Sequence, residues 1–148
     1  YSVGYKFNEW EMKGVPLRIE IGPRDIQNNQ IVMARRDNNE KDNILISDSF
    51  NKIESYLEQI QNNLFNQAKQ IMEKNTFTVS NYDEFKNQIA EGGFIKCGWD
   101  GSPDTEEKIK NETKATVRCI LFDQNVSGLN CIYSQKPAKY QVIFSKSY

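Results

Sequence analysis

Along this chain, apolar and polar positions alternate, then recur at helical spacing, then alternate again. Residues 15–22 place Val15, Leu17, Ile19 and Ile21 on one parity, with Pro16, Arg18 and Glu20 on the other. That pattern predicts a strand, closed by the turn signal Gly22-Pro23. A second strand is predicted over 30–36, a turn at Asp37-Asn38-Asn39, and a short third strand over 41–46. From Asp48 the period lengthens. Phe50, Ile53, Leu57, Ile60, Leu64 and Ile71 fall on one stripe of a long helix ending near Asn75. After the β-branched run Thr76-Phe77-Thr78-Val79, Asn81 and Glu84 have capping-box spacing for a further helix, which stops at Gly92-Gly93. Residues 94–99 read as a strand. Ser102-Pro103, with Asp104, Glu106 and Glu107 behind it, opens another helix. Strands are expected over 116–122, 129–133 and 139–144, the last two joined across Gln135-Lys136-Pro137. The chain shows no internal repeat.

At 148 residues the chain has room for one ordinary domain or two small ones. Hydrophobic residues make up 38% and charged residues 26%, a globular composition with a modest core. No run of eighteen apolar residues occurs, so no membrane partner is expected. The start has neither a secretory pattern nor an initiator methionine, which suggests a piece of a longer chain. Lysines and arginines number 19 against 20 acids, for a net charge of −1. A broad basic field is therefore excluded as the means of gripping nucleic acid, and any such contact must be local and directional. Histidine is absent. That removes the commonest neutral-pH general base and every nucleophile mechanism that depends on imidazole. Cys97, Cys119 and Cys131 form an odd set unlike a secreted disulfide framework, which favours a reducing cytoplasmic location.

The opening block, Gly4-Tyr5-Lys6-Phe7-Asn8-Glu9-Trp10-Glu11-Met12-Lys13-Gly14-Val15-Pro16-Leu17-Arg18-Ile19-Glu20-Ile21-Gly22-Pro23-Arg24-Asp25, resembles prolyl-tRNA synthetases of the archaeal and eukaryotic type. Two further blocks resemble the same family in the same order: Glu112-Thr113-Lys114-Ala115-Thr116-Val117-Arg118-Cys119-Ile120 and the closing Val142-Ile143-Phe144-Ser145-Lys146-Ser147-Tyr148. The resemblance implies an α/β fold. Residues 1–75 correspond to the latter half of a mixed-sheet class II anticodon-binding domain, whose first strand and helix lie further upstream. Residues 76–148 correspond to a small α/β C-terminal domain like the family's zinc domain. It also implies that the catalytic core, with its ATP and magnesium, lies outside this chain. No catalytic residue is then expected here. The implied partners are proline tRNA and the upstream catalytic domain of the same enzyme, in a homodimer when full-length.

The resemblance further implies that Glu11, Arg18 and Arg24, with Lys13 and Asp25 beside them, read the two guanines shared by proline anticodons. The chemistry suits that role. An arginine fork donates two bonds to guanine O6 and N7, and a carboxylate accepts from the N1 and N2 donors. The same residues also suit a plainer role, as strand-end charges paired with one another or with water. Phe7, Trp10 and Tyr5 could stack on bases, although packing of a loop onto the sheet is the commoner use of large aromatics. Arg35 and Arg36 suit either phosphate contacts or a solvated strand end.

Many members of the family hold zinc with four cysteines in two pairs. Here Cys97 and Cys131 remain, while Thr105 and Ser134 stand where their partners would be, so the expectation is that zinc is lost. Cys119 is expected in the core. The terminal Tyr148 corresponds to a tail that reaches the family's catalytic region. A free-standing RNA- or protein-binding module is the competing reading. An independent small enzyme has little support without histidine, a glycine-rich phosphate loop or a paired-ligand metal site.

Overall fold

Ser2 and Gly14 bracket a helix where the sequence reading expects only a loop. In the computed structural model, which describes residues 2–146, α1 spans Val3–Met12. The Ser2 hydroxyl accepts from the Tyr5 amide at 3.3 Å, and Glu9 pairs with Lys13 one turn on. Gly14, at φ 83°, ends the helix with its own amide on Glu11 and that of Val15 on Trp10. This is a Schellman closure, which favours glycine at the left-handed position. The signal was present in the sequence as a capping serine and a glycine twelve residues apart.

The chain divides into two compact units, Tyr1–Lys69 and Gln70–Tyr148. In the first, β1 (Leu17–Glu20), β2 (Gln30–Arg35) and β3 (Lys41–Leu45) form an antiparallel sheet in the order β1-β2-β3. The turn after Gly22 becomes a short helix, α2 (Pro23–Gln27), because Pro23 starts it and the Asp25 carboxylate accepts from the Gly22 amide at 2.7 Å. Pairing of Ile19 with Met33 and Ile31 with Ile44 sets one apolar face, while Arg18 and Ala34 share the other. The long helix α3 (Ser49–Lys74) buries Tyr56 and Ile60, and Ile31, Met33 and Tyr56 form this unit's core. The expected stripe is only partly used: Phe50 is 82% exposed and Ile71 63%. A helix of 26 residues is about 39 Å long, roughly twice the span of a strand of five or six residues, which is more than such a sheet can cover.

In the second unit, β4 (Thr76–Thr78), β5 (Phe94–Trp99), β6 (Ala115–Ile120) and β7 (Tyr140–Lys146) lie in the order β4-β5-β7-β6. This sheet is mixed: β4 runs parallel to β5, and the remaining pairs are antiparallel. Helices α4 (Tyr82–Glu91) and α5 (Pro103–Thr113) supply Phe85, Ile89 and Ile109 to a core completed by Ile95, Val142 and Phe144. Asn81 caps α4 through the Glu84 amide as its spacing predicts, and the Glu84 carboxylate reaches back to Ser80.

Two expectations fail here for identifiable reasons. Residues 129–133 are not a strand; they form a turn that an isolated bridge from Gly98 to Cys131 joins to β5, while a second bridge, Asn130 to Pro137, closes the loop on itself. The turn presses onto β5 where Gly98 has no side chain, and a Cβ there would lie 2.3 Å from the Asn130 carbonyl oxygen. Gly98→Ala is therefore expected to destabilise the chain by at least the ~1–3 kcal/mol of ordinary overpacking, as read from urea unfolding. Cys119 is exposed, not a core residue. The register slips by one between Val117 and Cys119, so Val117 pairs with buried Phe144 but Cys119 pairs with Ile143. A bulge of this kind turns the following side chain to the opposite face.

Candidate nucleic-acid interface

Arg18 lies at the centre of the first unit's charged face. Alternation along β1 points it away from the apolar core and toward α1, where the Phe7 ring centroid sits 3.8 Å from the guanidinium carbon. Glu11, one turn further along α1, accepts from Nη1. Glu20, two residues along the same strand, accepts from Nε at 3.1 Å and Nη2 at 3.0 Å. Lys41, at the start of β3, donates to both Glu20 oxygens at 2.9 and 3.1 Å. Burial opposes the charge on Arg18, but the bonds from Glu11 and Glu20 outweigh it and raise the guanidinium pKa. Burial likewise opposes ionisation of Glu20, and the bonds from Lys41 and Arg18 outweigh it and lower the carboxyl pKa. Two cations and two anions cancel, so the cluster offers directional donors and acceptors and not a net field. Beside it lies a cleft of about 220 Å³ lined by Glu11, Val15, Arg18, Ala34, Arg35, Arg36, Asn39 and Lys41.

Of the residues singled out from the sequence, Glu11 and Arg18 meet. Lys13 instead pairs with Glu9 at 2.9 Å and lies over the Trp10 ring. Trp10 is half-exposed. Arg24 is exposed on the first turn of α2, and Asp25 is engaged in capping that turn. Among the described residues, the side-chain bonds of Arg18 go to Glu11 and Glu20 and to neither of these two. Sequence reasoning missed Glu20 and Lys41. The alternation of β1 placed Glu20 on the face of Arg18, but nothing local indicated a lysine 21 positions away.

Arg35 is committed elsewhere. Its Nε and Nη2 donate to the two Asp37 oxygens at 3.1 and 2.9 Å, and Nη1 donates to Gln59 at 3.0 Å. Asn63 adds a 2.6 Å bond to Asp37, whose side chain is withdrawn from solvent. The Arg35 bond lowers the Asp37 pKa more than burial raises it. A carboxyl with a depressed folded pKa contributes stability above its unfolded value, near 3.9, and loses it as pH falls through the folded value. Asp37→Asn is expected to cost about 1.5–3 kcal/mol at pH 7. In urea unfolding at a series of pH values, its difference from the wild type should hold down to about pH 4 and shrink below it.

Both units match known protein families. Residues 1–56 match the family model described as "Anticodon binding domain", and residues 82–148 match "Prolyl-tRNA synthetase, C-terminal". The chain carries the anticodon-binding and C-terminal domains of the prolyl-tRNA synthetase family. It is 48% identical over its whole length to the proline–tRNA ligase of Alkaliphilus oremlandii, and covers 31% of that protein. It is 46% identical to proline–tRNA ligase 2 of Clostridioides difficile, covering 31%, and 46% identical to the proline–tRNA ligase of Cytophaga hutchinsonii, covering 30%. The chain thus spans about a third of the length of these relatives, which come from bacteria. No helix among the described residues is long and apolar enough to cross a membrane.

A second cluster of candidate residues lies in the C-terminal unit. Cys97 and Cys131 are buried, and burial first, then the neighbouring Cys131, pushes the Cys97 thiol up to about 12. Thr105 and Ser134 both donate to Asp100 Oδ2, at 3.0 and 2.6 Å, and the Ser102 amide donates to Oδ1 at 3.0 Å. Asp100 therefore gathers the loop after β5, the start of α5 and the turn after Cys131. Nothing in the sequence spacing singled it out. Among the described residues, no three histidine, cysteine or acidic side chains are arranged to hold a metal. Tyr148 lies outside the described residues.

Proposed function

We propose that this chain is the tRNA-reading part of a proline–tRNA ligase, and that Arg18 and Glu11 select guanine in the anticodon. The observation that carries this reading is the Arg18 fork, stacked on Phe7 and paired with Glu11 at the rim of an open cleft. Guanine presents two acceptors that suit the fork and two donors that suit the carboxylate. Unstacked anticodon bases expose both edges to such groups. Arg24, exposed just beyond β1, is assigned to the second guanine, with Lys13 and Asp25 at the margin. The neutral balance of the Arg18 cluster supports recognition by directional bonds over phosphate attraction.

In the whole enzyme, proline is activated with ATP and magnesium and esterified to proline tRNA by an upstream catalytic domain, in a cytoplasmic homodimer. The domain division at 75/76, the contact of the Tyr148 tail with the catalytic region, and assignment to the archaeal and eukaryotic type belong to the same proposal. The type assignment rests on the three sequence blocks, and the bacterial source of the relatives does not add to it. We further propose that no structural zinc is held at Cys97, Thr105, Cys131 and Ser134. Both hydroxyls already serve Asp100, and Cys97 and Cys131 alone fall short of the four soft ligands that a closed tetrahedral site requires.

Fluorescence anisotropy with a labelled proline anticodon stem-loop tests the central claim, with a control in which both anticodon guanines are cytosine. Tighter binding of the guanine form supports base readout. Equal binding that falls steeply with salt reduces the interaction to phosphate attraction and overturns it.

A further inference from the structure

The two carboxylates on Arg18 are not equivalent. Glu20 is 22% exposed, bonds Arg18 through Nε and Nη2, and is itself held by Lys41 through both oxygens. Glu11 is 46% exposed and bonds Arg18 through Nη1 alone. Water competes far better for the exposed, singly bonded carboxylate than for the sheltered one. Phe7 covers one face of the guanidinium plane and so restricts its rotation as well.

We infer that Glu20 is a positioning residue for guanine selection: it anchors Arg18 by the Nε–Nη2 edge while Glu11 is the partner exchanged for the base. This inference rests on the anticodon reading above. The anchored edge leaves the Nη1–Nη2 edge to donate to guanine O6 and N7. The released Glu11 carboxylate accepts from guanine N1 and N2. Lys41 keeps Glu20 in place by balancing its charge throughout the exchange. Adenine presents an amino donor where guanine presents O6, so an anchored Arg18 would face donor against donor. An unanchored arginine could swing away from that clash, and discrimination would fall.

The test is anisotropy on the full chain, comparing stem-loops that carry guanine or adenine at the two guanine positions. Glu20→Gln, with unchanged circular dichroism, is expected to lower the guanine-to-adenine affinity ratio about tenfold. Its affinity for the adenine form should stay level or rise, because a negative charge beside the RNA has been removed. A purely electrostatic role would strengthen binding to both forms and leave the ratio unchanged, which overturns the inference. No guanine preference in the wild type overturns the anticodon reading and this inference together, whereas a preference retained by Glu20→Gln overturns this one alone. If Glu20→Gln does not fold, the wild-type Arg18 Nε–H resonance decides. Persistence of its hydrogen-bonded signal when the guanine stem-loop is added supports the anchor, and loss to solvent exchange overturns it.

Discussion

Arg18→Ala is expected to bind the guanine-bearing stem-loop roughly 5- to 150-fold more weakly than the wild type, the range that follows from ~1–3 kcal/mol for a bidentate base contact. Two losses combine. The fork that meets O6 and N7 is gone, and Glu11 and Glu20 are left facing each other across the space it filled. Their repulsion displaces the carboxylate that would accept from guanine. Binding of the cytosine control should change much less, because cytosine lacks the O6 and N7 acceptor pair that the Arg18 fork meets on guanine. Arg18→Lys should recover little, since an ammonium can neither span both carboxylates nor present a planar fork. Anisotropy titrations of the three proteins at one fixed salt concentration check this. An equal fall for both stem-loops would assign Arg18 to the phosphates.

The largest stability effect is expected at Phe144. It is fully buried on β7, the strand that pairs with both β5 and β6, and its ring meets Phe85 edge-on at 5.3 Å between centroids. Phe144→Ala removes the ring and leaves a cavity between sheet and helices, at a cost of about 3–5 kcal/mol. That is a large part of the ~5–15 kcal/mol that typical domains possess. Urea unfolding should show a much lower midpoint with nearly the same slope. A small shift would mean that the helices close over the gap. Phe144→Leu keeps most of the apolar volume and should lie well above the alanine variant.

Much of the element order was legible because its signals are local. Asn81 with Glu84 marks the start of α4, Gly92 its end, Pro103 the start of α5, and the period of three and four the course of α3. Where local signals conflicted, the reading failed. Residues 129–133 carry apolar residues in a strand-like run, yet the turn they form is fitted to the bare backbone of Gly98, some thirty positions earlier. Cys119 lies in an alternating segment, and only the bulge at Val117 shows that the alternation is broken there. Ser2 and Gly14 bracket α1, but Val3, Tyr5 and Phe7 between them alternate at a strand-like period of two, so no helical stripe marks the segment.

The site divides in the same way. Glu11 and Arg18 could be named from the chain alone, because their residue types and seven-residue separation belong to a block that resembles a known family. The composition also excluded a basic clamp and imidazole chemistry. Neither depends on where the chain goes in space. The assignment of Glu20 and Lys41 to Arg18, of Asn63 and Gln59 to the Arg35–Asp37 pair, and of Asp100 to Thr105 and Ser134 came from the fold. Those partners are separated by up to 34 residues and meet only once strand register, helix docking and turn placement are settled. Burial of the apolar faces settles them, and a one-residue slip would move each polar group to the opposite face.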